Sequence, residues 1–369
     1  MHSDTSLSPI TIDLGATRSY PYHIESLQRV PELMAASGLR IGKCMVITDA
    51  TVARHYANTL EEALLTAGWQ PERIVVTTGE KAKGYADLHQ IYDAALSSGI
   101  DRKTPVLALG GGVVGDLAGF AAASLLRGLP FVQLPTTLIA QVDSALGGKT
   151  GINHATGKNL IGAFHQPAFV CADLKTLQSL PFREWTSGLA EVVKHALIAD
   201  IDFVSWLEDN WAAVIDRDAS ILGTLIHRAA GIKAVVVSQD EREAGLRAIL
   251  NFGHTFGHAI EHVAGYGHFT HGEAVAMGMR AALHLSARLH PALDVQRAAD
   301  LVKKLPIQAS AIDMPVDDLV AAMYTDKKVL AGRIRFVLLD KVGHAYVEAD
   351  ADMRDATWAF EEMLKNLHL

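Results

Sequence analysis

Five histidines fall within eighteen positions: His254, His258, His262, His268 and His271. The first three are four residues apart, so a helix would carry them on one face. Imidazole suits zinc and related divalent ions, and two histidines with one carboxylate form a common ligand set. One histidine alone would be read as part of a solvated polar face; five this close favour a metal site. The stretch His254-Thr255-Phe256-Gly257-His258 shares only its histidines with the H-E-x-x-H motif. Thr255 stands where that motif needs glutamate, which argues against a metalloprotease. Three residues are open as the carboxylate ligand: Glu191, Glu261 and Glu273. Glu191 precedes Lys194 by three in a helical pattern with Leu189, Val192, Val193 and Leu197. A surface i,i+3 ion pair is the plain alternative, but so apolar a helix points the pair inward.

A second chemical signal is glycine-rich. Gly110, Gly112 and Gly115 satisfy G-x-G-x-x-G, after a strand-like run at 105–109 and before a helical pattern at 116–126. Glycines let the backbone approach a pyrophosphate, and a helix N-terminus offers N–H donors and the positive end of a dipole. The same pattern without a ligand is a tight strand-to-helix turn. The usual dinucleotide fingerprint places an acid about 20 residues further on, yet 129–138 holds none. Asp49, at the end of an earlier strand pattern, is the alternative ribose partner, which implies a different strand arrangement. Gly148-Lys149-Thr150 imitates the end of a P-loop, but Asp143 occupies the position that needs glycine, so ATP hydrolysis is not indicated. Lys149, in a glycine-flanked turn, can still reach a phosphate.

Basic residues gather near these motifs: Arg127, Lys149, Lys158, Lys194, Lys233, Arg247, Lys327 and Lys328. The whole chain is acidic, with 33 Lys+Arg against 41 Asp+Glu and a net charge of −8. That balance argues against nucleic acid as a partner and for a local basic pocket that takes a small anion. Neither Cys44 nor Cys171 lies in a Cys-x-x-Cys pair, so both read as small buried hydrophobes. Their scarcity fits a reducing compartment. The first ten residues, MHSDTSLSPI, lack the basic start and apolar stretch of a signal peptide. No run of about 18 apolar residues is evident, so no membrane span is expected.

The elements that must position these residues change texture along the chain. Strand patterns at 43–48, 73–78, 105–109, 131–134 and 169–172 alternate with helical ones at 51–67, 85–97 and 116–126, which implies parallel strands with crossover helices. After about residue 180, helical spacing dominates: 187–199, 219–239, 246–264, 271–290, 294–304 and 316–323. A hairpin follows around Gly343, then a closing helix at 351–367. Leu180-Pro181 marks the boundary. The expected organisation is therefore an α/β domain over 1–180 and a mainly helical domain over 181–369.

Seven segments, in order, carry a resemblance. They are GGGVVGDLAGFAA (110–122), LPTTLIAQVDSALGGKTGIN (134–153), GKNLIGAFHQP (157–167), LAEVVKHALI (189–198), DEREAGLRAILNFGHTFGHAIEH (240–262), HGEAVAMGM (271–279) and DKKVLAGRIRFVL (326–338). The chain resembles the 3-dehydroquinate synthase family, among the sugar phosphate cyclases, from about residue 49 to about residue 347. The resemblance implies a dehydroquinate synthase-like two-domain fold, with 1–180 as an α/β Rossmann-like NAD-binding domain, 181–369 as a mainly helical metal- and substrate-binding domain and the active site in the cleft. It also implies NAD, one divalent metal (zinc or cobalt), a homodimer and a cytoplasmic location. It implies Glu191, His254 and His271 as metal ligands. It assigns NAD contacts to Asp49, Glu80, Lys83, Gly112, Val113, Val114, Gly115, Asp116, Thr136, Thr137, Lys149, Lys158, Thr176, Leu177 and Ser179. The family favours threonine where this chain has Ser179, and serine where it has Ala145.

The family's substrate is 3-deoxy-arabino-heptulosonate 7-phosphate. By resemblance Lys149, Asn159, Asn251, Lys327 and Lys328 face its phosphate end, Lys233 and Arg247 its carboxylate end, and Asp143 also contacts it. Arg127 reaches in from a partner subunit. Lys194 stabilises charge and His258 relays a proton; Lys149 and Asn251 complete the catalytic set. The implied reaction is transient oxidation by NAD, phosphate elimination, reduction and intramolecular aldol closure, giving 3-dehydroquinate. The rival readings are a sister cyclase (2-deoxy-scyllo-inosose synthase or a sedoheptulose 7-phosphate cyclase), a metal-dependent polyol dehydrogenase, and an inactive binding module.

Overall fold

The computed structural model describes residues 7–265, 267–307, 314–324 and 334–366. Lys327 and Lys328 lie outside them. The chain divides into two compact units, Met1–Leu180 with Leu222–Arg242, and Pro181–Ile221 with Glu243–Leu369. The helical segment Leu222–Arg242, which the sequence pattern groups with the second half, thus belongs with the first unit. Its side chains explain why: Ser238 accepts from the backbone N–H of Asp13 at 2.9 Å, and Lys233 Nζ donates to Asp143 Oδ1 at 2.6 Å.

That segment also bears on the membrane expectation. The helix Ala219–Gln239 is long and apolar enough to cross a membrane by length and composition, with a mean hydropathy of 1.4 in its best window. Consecutive counting misses it because Gly223, Thr224, His227, Arg228 and Lys233 interrupt the run. Half of the window is buried inside the protein, and Lys233 is among its buried residues. The buried half of that window packs as protein core.

The first unit is built on a seven-stranded sheet. In chain order its strands are β1 (Ile10–Ile12), β2 (Tyr20–Ile24), β3 (Lys43–Asp49), β4 (Gln70–Val76), β5 (Val106–Gly110), β6 (Phe131–Pro135) and, after the hairpin β7 (Lys149–His154) and β8 (Gly157–Phe164), β9 (Phe169–Ala172). The spatial order is β1-β2-β9-β6-β5-β3-β4, and every pair except β1/β2 is parallel. Both faces are covered, so the central strands read as unbroken apolar runs. Alternation along β3 splits its side chains between two cores: Met45 and Ile47 join the helix side of Leu117 and Ala121, while Cys44 and Val46 join Leu60, Leu64 and Trp69. Both cysteines are free and buried, and burial pushes the Cys44 thiol up to about 12.

Two departures from the sequence pattern bear on chemistry. Lys149 opens strand β7 rather than sitting in a turn. The helix after β5 runs Gly112–Ser124, four residues earlier than its polar start suggests, so Gly112 and Gly115 lie in its first turn. Strands β1 and β2 are too short, and β2 too interrupted by Pro21, to show a strand period.

The second unit is helical, with Phe182–Ala199, Ile201–Ile215, His254–Ala264, His271–Leu289, Gln296–Lys303, Val316–Met323 and Met353–Lys365. A hairpin, β10 (Phe336–Lys341) with β11 (His344–Glu348), completes it. The predicted single helix over 246–264 is broken. A 3-10 turn at Leu246–Asn251 ends, Gly253 adopts φ +78°, and a new helix starts at His254. Only glycine takes that left-handed conformation cheaply.

Candidate active site

Three helices of the second unit meet at backbone contact. A Cβ on Gly272 would lie 2.0 Å from Ser187 O, and one on Gly278 would lie 2.0 Å from Gly253 O. Any larger residue would force the helices apart. The Ser187 hydroxyl accepts from the N–H of Gly272 at 3.0 Å. A second tie joins the starts of the helices Phe182–Ala199 and His271–Leu289. Arg183 forks onto Glu273, with Nη2 2.7 Å from Oε2, and Nη2 also donates to His268 O at 2.6 Å. Glu273 in turn closes a capping box with Thr270 at the N-terminus of its helix. Glu273 is therefore committed to Arg183 and the cap, which removes it as a metal-ligand candidate.

This packing brings Glu191, His254 and His271 together, with one potential ligand atom from each within 4.8 Å of the others. Glu191 is fully buried, and Lys194 Nζ bonds its Oε2. The pair is thus interior, not the surface pair of the plain alternative. Glu191 Oε1 is buried with no hydrogen-bond partner. It faces His254 Nε2 at 3.6 Å and His271 Nε2 at 3.7 Å. The other nitrogens are turned away: His254 Nδ1 lies 3.2 Å from Phe252 O, and His271 Nδ1 lies 3.5 Å from Glu261 Oε2. Partial burial favours a neutral His271 ring, but Glu261 and Glu191 outweigh it and raise the pKa. An orphaned carboxylate oxygen and two imidazole Nε2 atoms, converging beyond hydrogen-bond range where positive charge is favoured, fit a divalent cation.

The remaining histidines separate. His258 joins the cluster, with ring centroids 5.6 Å from His254 and 6.1 Å from His271. His262 lines a hollow with Val263, Asp318, Ala321 and Ala322, and His268 packs on Phe269. Spacing by four could not reveal that only two of its three histidines share the cluster. Elsewhere in this unit, Asn251 Nδ2 donates to Glu243 Oε1 at 2.8 Å. Glu243 holds φ +59°, a strained value for a non-glycine residue; sequence reasoning did not single it out. Arg247 is buried.

In the first unit, the helix Gly112–Ser124 begins at Gly111 with no side-chain cap. Its first N–H groups are therefore open to an anionic ligand. Val114 is core, so only its backbone can serve a ligand. The glycines also have packing reasons: Cβ atoms on Gly112 and Gly115 would meet Ser144 Oγ at 2.7 Å and Gln133 Oε1 at 2.8 Å. Beside the loop lies a polar network. Lys83 Nζ donates to Asp116 Oδ2 at 2.7 Å and bonds Asn159 Oδ1. Asn153 joins Glu80 at 2.7 Å and the N–H of Asn159 at 2.8 Å. Burial pushes the Asp116 carboxyl up, against the pull of Lys83. Asn153 and Gln141 were not singled out by the sequence; neither lies in a motif with a distinctive spacing.

The other predicted contacts differ in availability. Asp49 Oδ1 caps the next helix, accepting from Thr51 N at 2.7 Å and Val52 N at 3.1 Å, while Oδ2 takes no part in these bonds. Thr137 packs on Gly111, and its hydroxyl accepts from Ala140 N. Thr136 is buried at the end of the β6 strand. Thr176 and Leu177 are buried, and the Thr176 hydroxyl is held between Asp173 O and Gln141 Nε2. Ser179 pairs with the Tyr56 hydroxyl. Lys149 and Arg127 are exposed, and Lys158 is half-buried. Arg127 has φ +67° and follows Leu126 at +48°.

With this geometry in place, known proteins supply the comparison. The family model described as 3-dehydroquinate synthase N-terminal matches residues 73–187, and that described as 3-dehydroquinate synthase C-terminal matches 188–329. The 3-dehydroquinate synthase of Salinibacter ruber is 56% identical over 368 residues, covering 99% of this chain and 100% of its own. The chain belongs to the 3-dehydroquinate synthase family. It is an enzyme of the lyase class, and its activity is the one the family name states. Among solved structures, 2-epi-5-epi-valiolone synthase from Streptomyces hygroscopicus, with NAD+ and Zn2+ bound, superposes with a TM-score of 0.85. It is 28% identical and covers 96% of this chain and 99% of that one. A 2-deoxy-scyllo-inosose synthase complexed with carbaglucose-6-phosphate, NAD+ and Co2+ gives 0.86 at 27% identity, covering 96% and 100%. The fold is accordingly that of the dehydroquinate synthase-like cyclases.

Proposed function

We propose that this member of the 3-dehydroquinate synthase family converts 3-deoxy-arabino-heptulosonate 7-phosphate to 3-dehydroquinate and phosphate, with NAD and one zinc or cobalt ion. The observation that carries the metal reading is the orphaned Glu191 Oε1, buried and facing two imidazole Nε2 atoms at 3.6 and 3.7 Å. Held by Glu191, His254 and His271, a divalent ion would supply Lewis-acid assistance to deprotonation of a substrate hydroxyl, and NAD would supply a transient, regenerated hydride acceptor. The chain's own residues do the rest. His258, beside both ligand histidines, relays the proton of the oxidised hydroxyl. Lys194, held against Glu191, stabilises negative charge that develops near the metal. Arg247 and Lys233 take the carboxylate, and Lys149, Asn159, Asn251 and the lysines at 327 and 328 take the phosphate; Asp143 orients Lys233.

The Gly112–Asp116 turn, Asp49, Glu80, Lys83, Thr136, Thr137, Lys158 and the 176–179 turn form the proposed NAD site. Held geometry keeps the aldol step on course. The proposed enzyme is a cytoplasmic homodimer, with Arg127 offered to the partner subunit; its two free buried cysteines accord with a reducing compartment. The test is phosphate release from the heptulosonate with zinc and NAD supplied. Loss of release on chelation, and in His271→Ala, supports the reading. Undiminished release in His271→Ala would reject the metal assignment.

A further inference from the structure

We propose that Glu261 is a positioning residue for His271, fixing the ring tautomer that turns Nε2 toward Glu191. This rests on the reading of Glu191, His254 and His271 as metal ligands. Glu261 stands on the helix His254–Ala264, and its Oε2 lies 3.5 Å from His271 Nδ1 on the neighbouring helix. Its side chain is 11% exposed, so water competes little for it. An ionised carboxylate only accepts hydrogen bonds. The ring hydrogen of His271 therefore belongs on Nδ1, and the Nε2 lone pair is left on the side of Glu191 Oε1, 3.7 Å away.

His254 reaches the same state by another route. Its Nδ1 lies 3.2 Å from a backbone carbonyl, Phe252 O, and its Nε2 lies 3.6 Å from Glu191 Oε1. Two unlike acceptors thus leave the same atom of both rings pointing at one carboxylate oxygen. The carboxylate lies a little farther off than the carbonyl, but it carries a full negative charge, which makes the opposite nitrogen of His271 more basic. His258, Glu261 and His271 also lie within 4.8 Å of one another. Since this group shares His271 with the first, it supports that site rather than forming a separate one.

The test uses full-length protein stripped with a chelator and titrated with Co2+, reading the dissociation constant and the visible d–d spectrum. Glu261→Gln and Glu261→Ala are expected to bind Co2+ about 10–100-fold more weakly than the unsubstituted chain, with an altered spectrum. His254→Ala serves as the ligand control. Wild-type affinity and spectrum in both Glu261 variants, with His254→Ala weakened, would overturn this inference alone. Lack of Co2+ affinity in the unsubstituted chain would overturn the three-ligand reading, and this inference with it. A readout independent of the variants' folding comes from 15N-histidine NMR of the unsubstituted metal-free protein. His271 is expected to carry a hydrogen on Nδ1, in the neutral or the protonated ring alike, and an unprotonated Nδ1 would contradict the proposal.

Discussion

Lys194 bonds one carboxylate oxygen of Glu191 and leaves the other, fully buried, with no hydrogen-bond partner. One carboxylate is thereby divided between a resident cation and a position that two imidazoles also face. The division suits a site whose charge balance changes when an ion arrives.

Replacing Lys194 tests that balance. Lys194→Met leaves the Glu191 carboxylate buried without its cation, a loss of about 3–5 kcal/mol for a broken buried pair. Unfolding in urea of chelator-treated protein should show this loss. Added zinc should recover more stability in the variant than in the unsubstituted chain, because the ion substitutes for the missing charge. Activity should stay low, since Lys194 is assigned to charge stabilisation.

Helix approach is the second lever. Gly272→Ala places a methyl 2.0 Å from Ser187 O, a backbone atom that cannot rotate away. Overpacking of this kind costs about 1–3 kcal/mol. His271 precedes Gly272, so metal affinity should fall together with the thermal midpoint. Gly231→Ala, where a Cβ would meet nothing within 4 Å, should leave metal affinity unchanged.

The Arg183–Glu273 clamp predicts an acid dependence. Burial tends to raise the Glu273 pKa, but Arg183 and the Thr270 cap outweigh it and hold the carboxyl below its ordinary value of 4.5. A depressed folded-state pKa contributes stability above the unfolded pKa and loses it as pH falls through the folded value. Glu273→Gln should therefore destabilise the protein near pH 7 by about 1–3 kcal/mol. The gap from the unsubstituted chain should narrow as pH drops below about 4.5, read from urea midpoints across a pH series.

Substitutions at Asp49 distinguish its observed helix cap from its proposed NAD contact. Its Oδ1 caps the helix after β3, and asparagine caps nearly as well as aspartate. Asp49→Asn should keep the thermal midpoint while weakening NAD binding by about tenfold, as expected for the loss of a charged hydrogen-bond acceptor. Asp49→Ala should lose both, with about 1 kcal/mol of stability from the cap. Fluorescence titration with NADH and thermal melts read the two effects separately.

Much of this was legible in the sequence because it is local. Apolar runs marked β3, β5, β6 and β9, and the glycine pattern marked the loop after β5. Spacing by four paired His254 with His258. What was not legible depends on distant contacts. Glu273 and Glu261 look equivalent to Glu191 until Arg183, 90 residues away, claims Glu273 and Glu261 is found at the far nitrogen of His271. The break at Gly253 hides inside a continuous helical period, because a positive φ leaves no trace in spacing. Lys149 looks like a turn residue because its strand lies in a hairpin with Gly151 and Gly162, where a Cβ on either would strike the opposite backbone at 2.5 and 2.1 Å.

The most direct measurement follows free phosphate and NADH absorbance together, with purified protein, NAD, zinc and 3-deoxy-arabino-heptulosonate 7-phosphate. A cyclase that borrows and returns its hydride releases phosphate with no lasting NADH. Steady accumulation of NADH would contradict that and indicate a polyol dehydrogenase. No phosphate from this substrate, but turnover of glucose 6-phosphate or sedoheptulose 7-phosphate, would contradict the substrate assignment and indicate a sister cyclase.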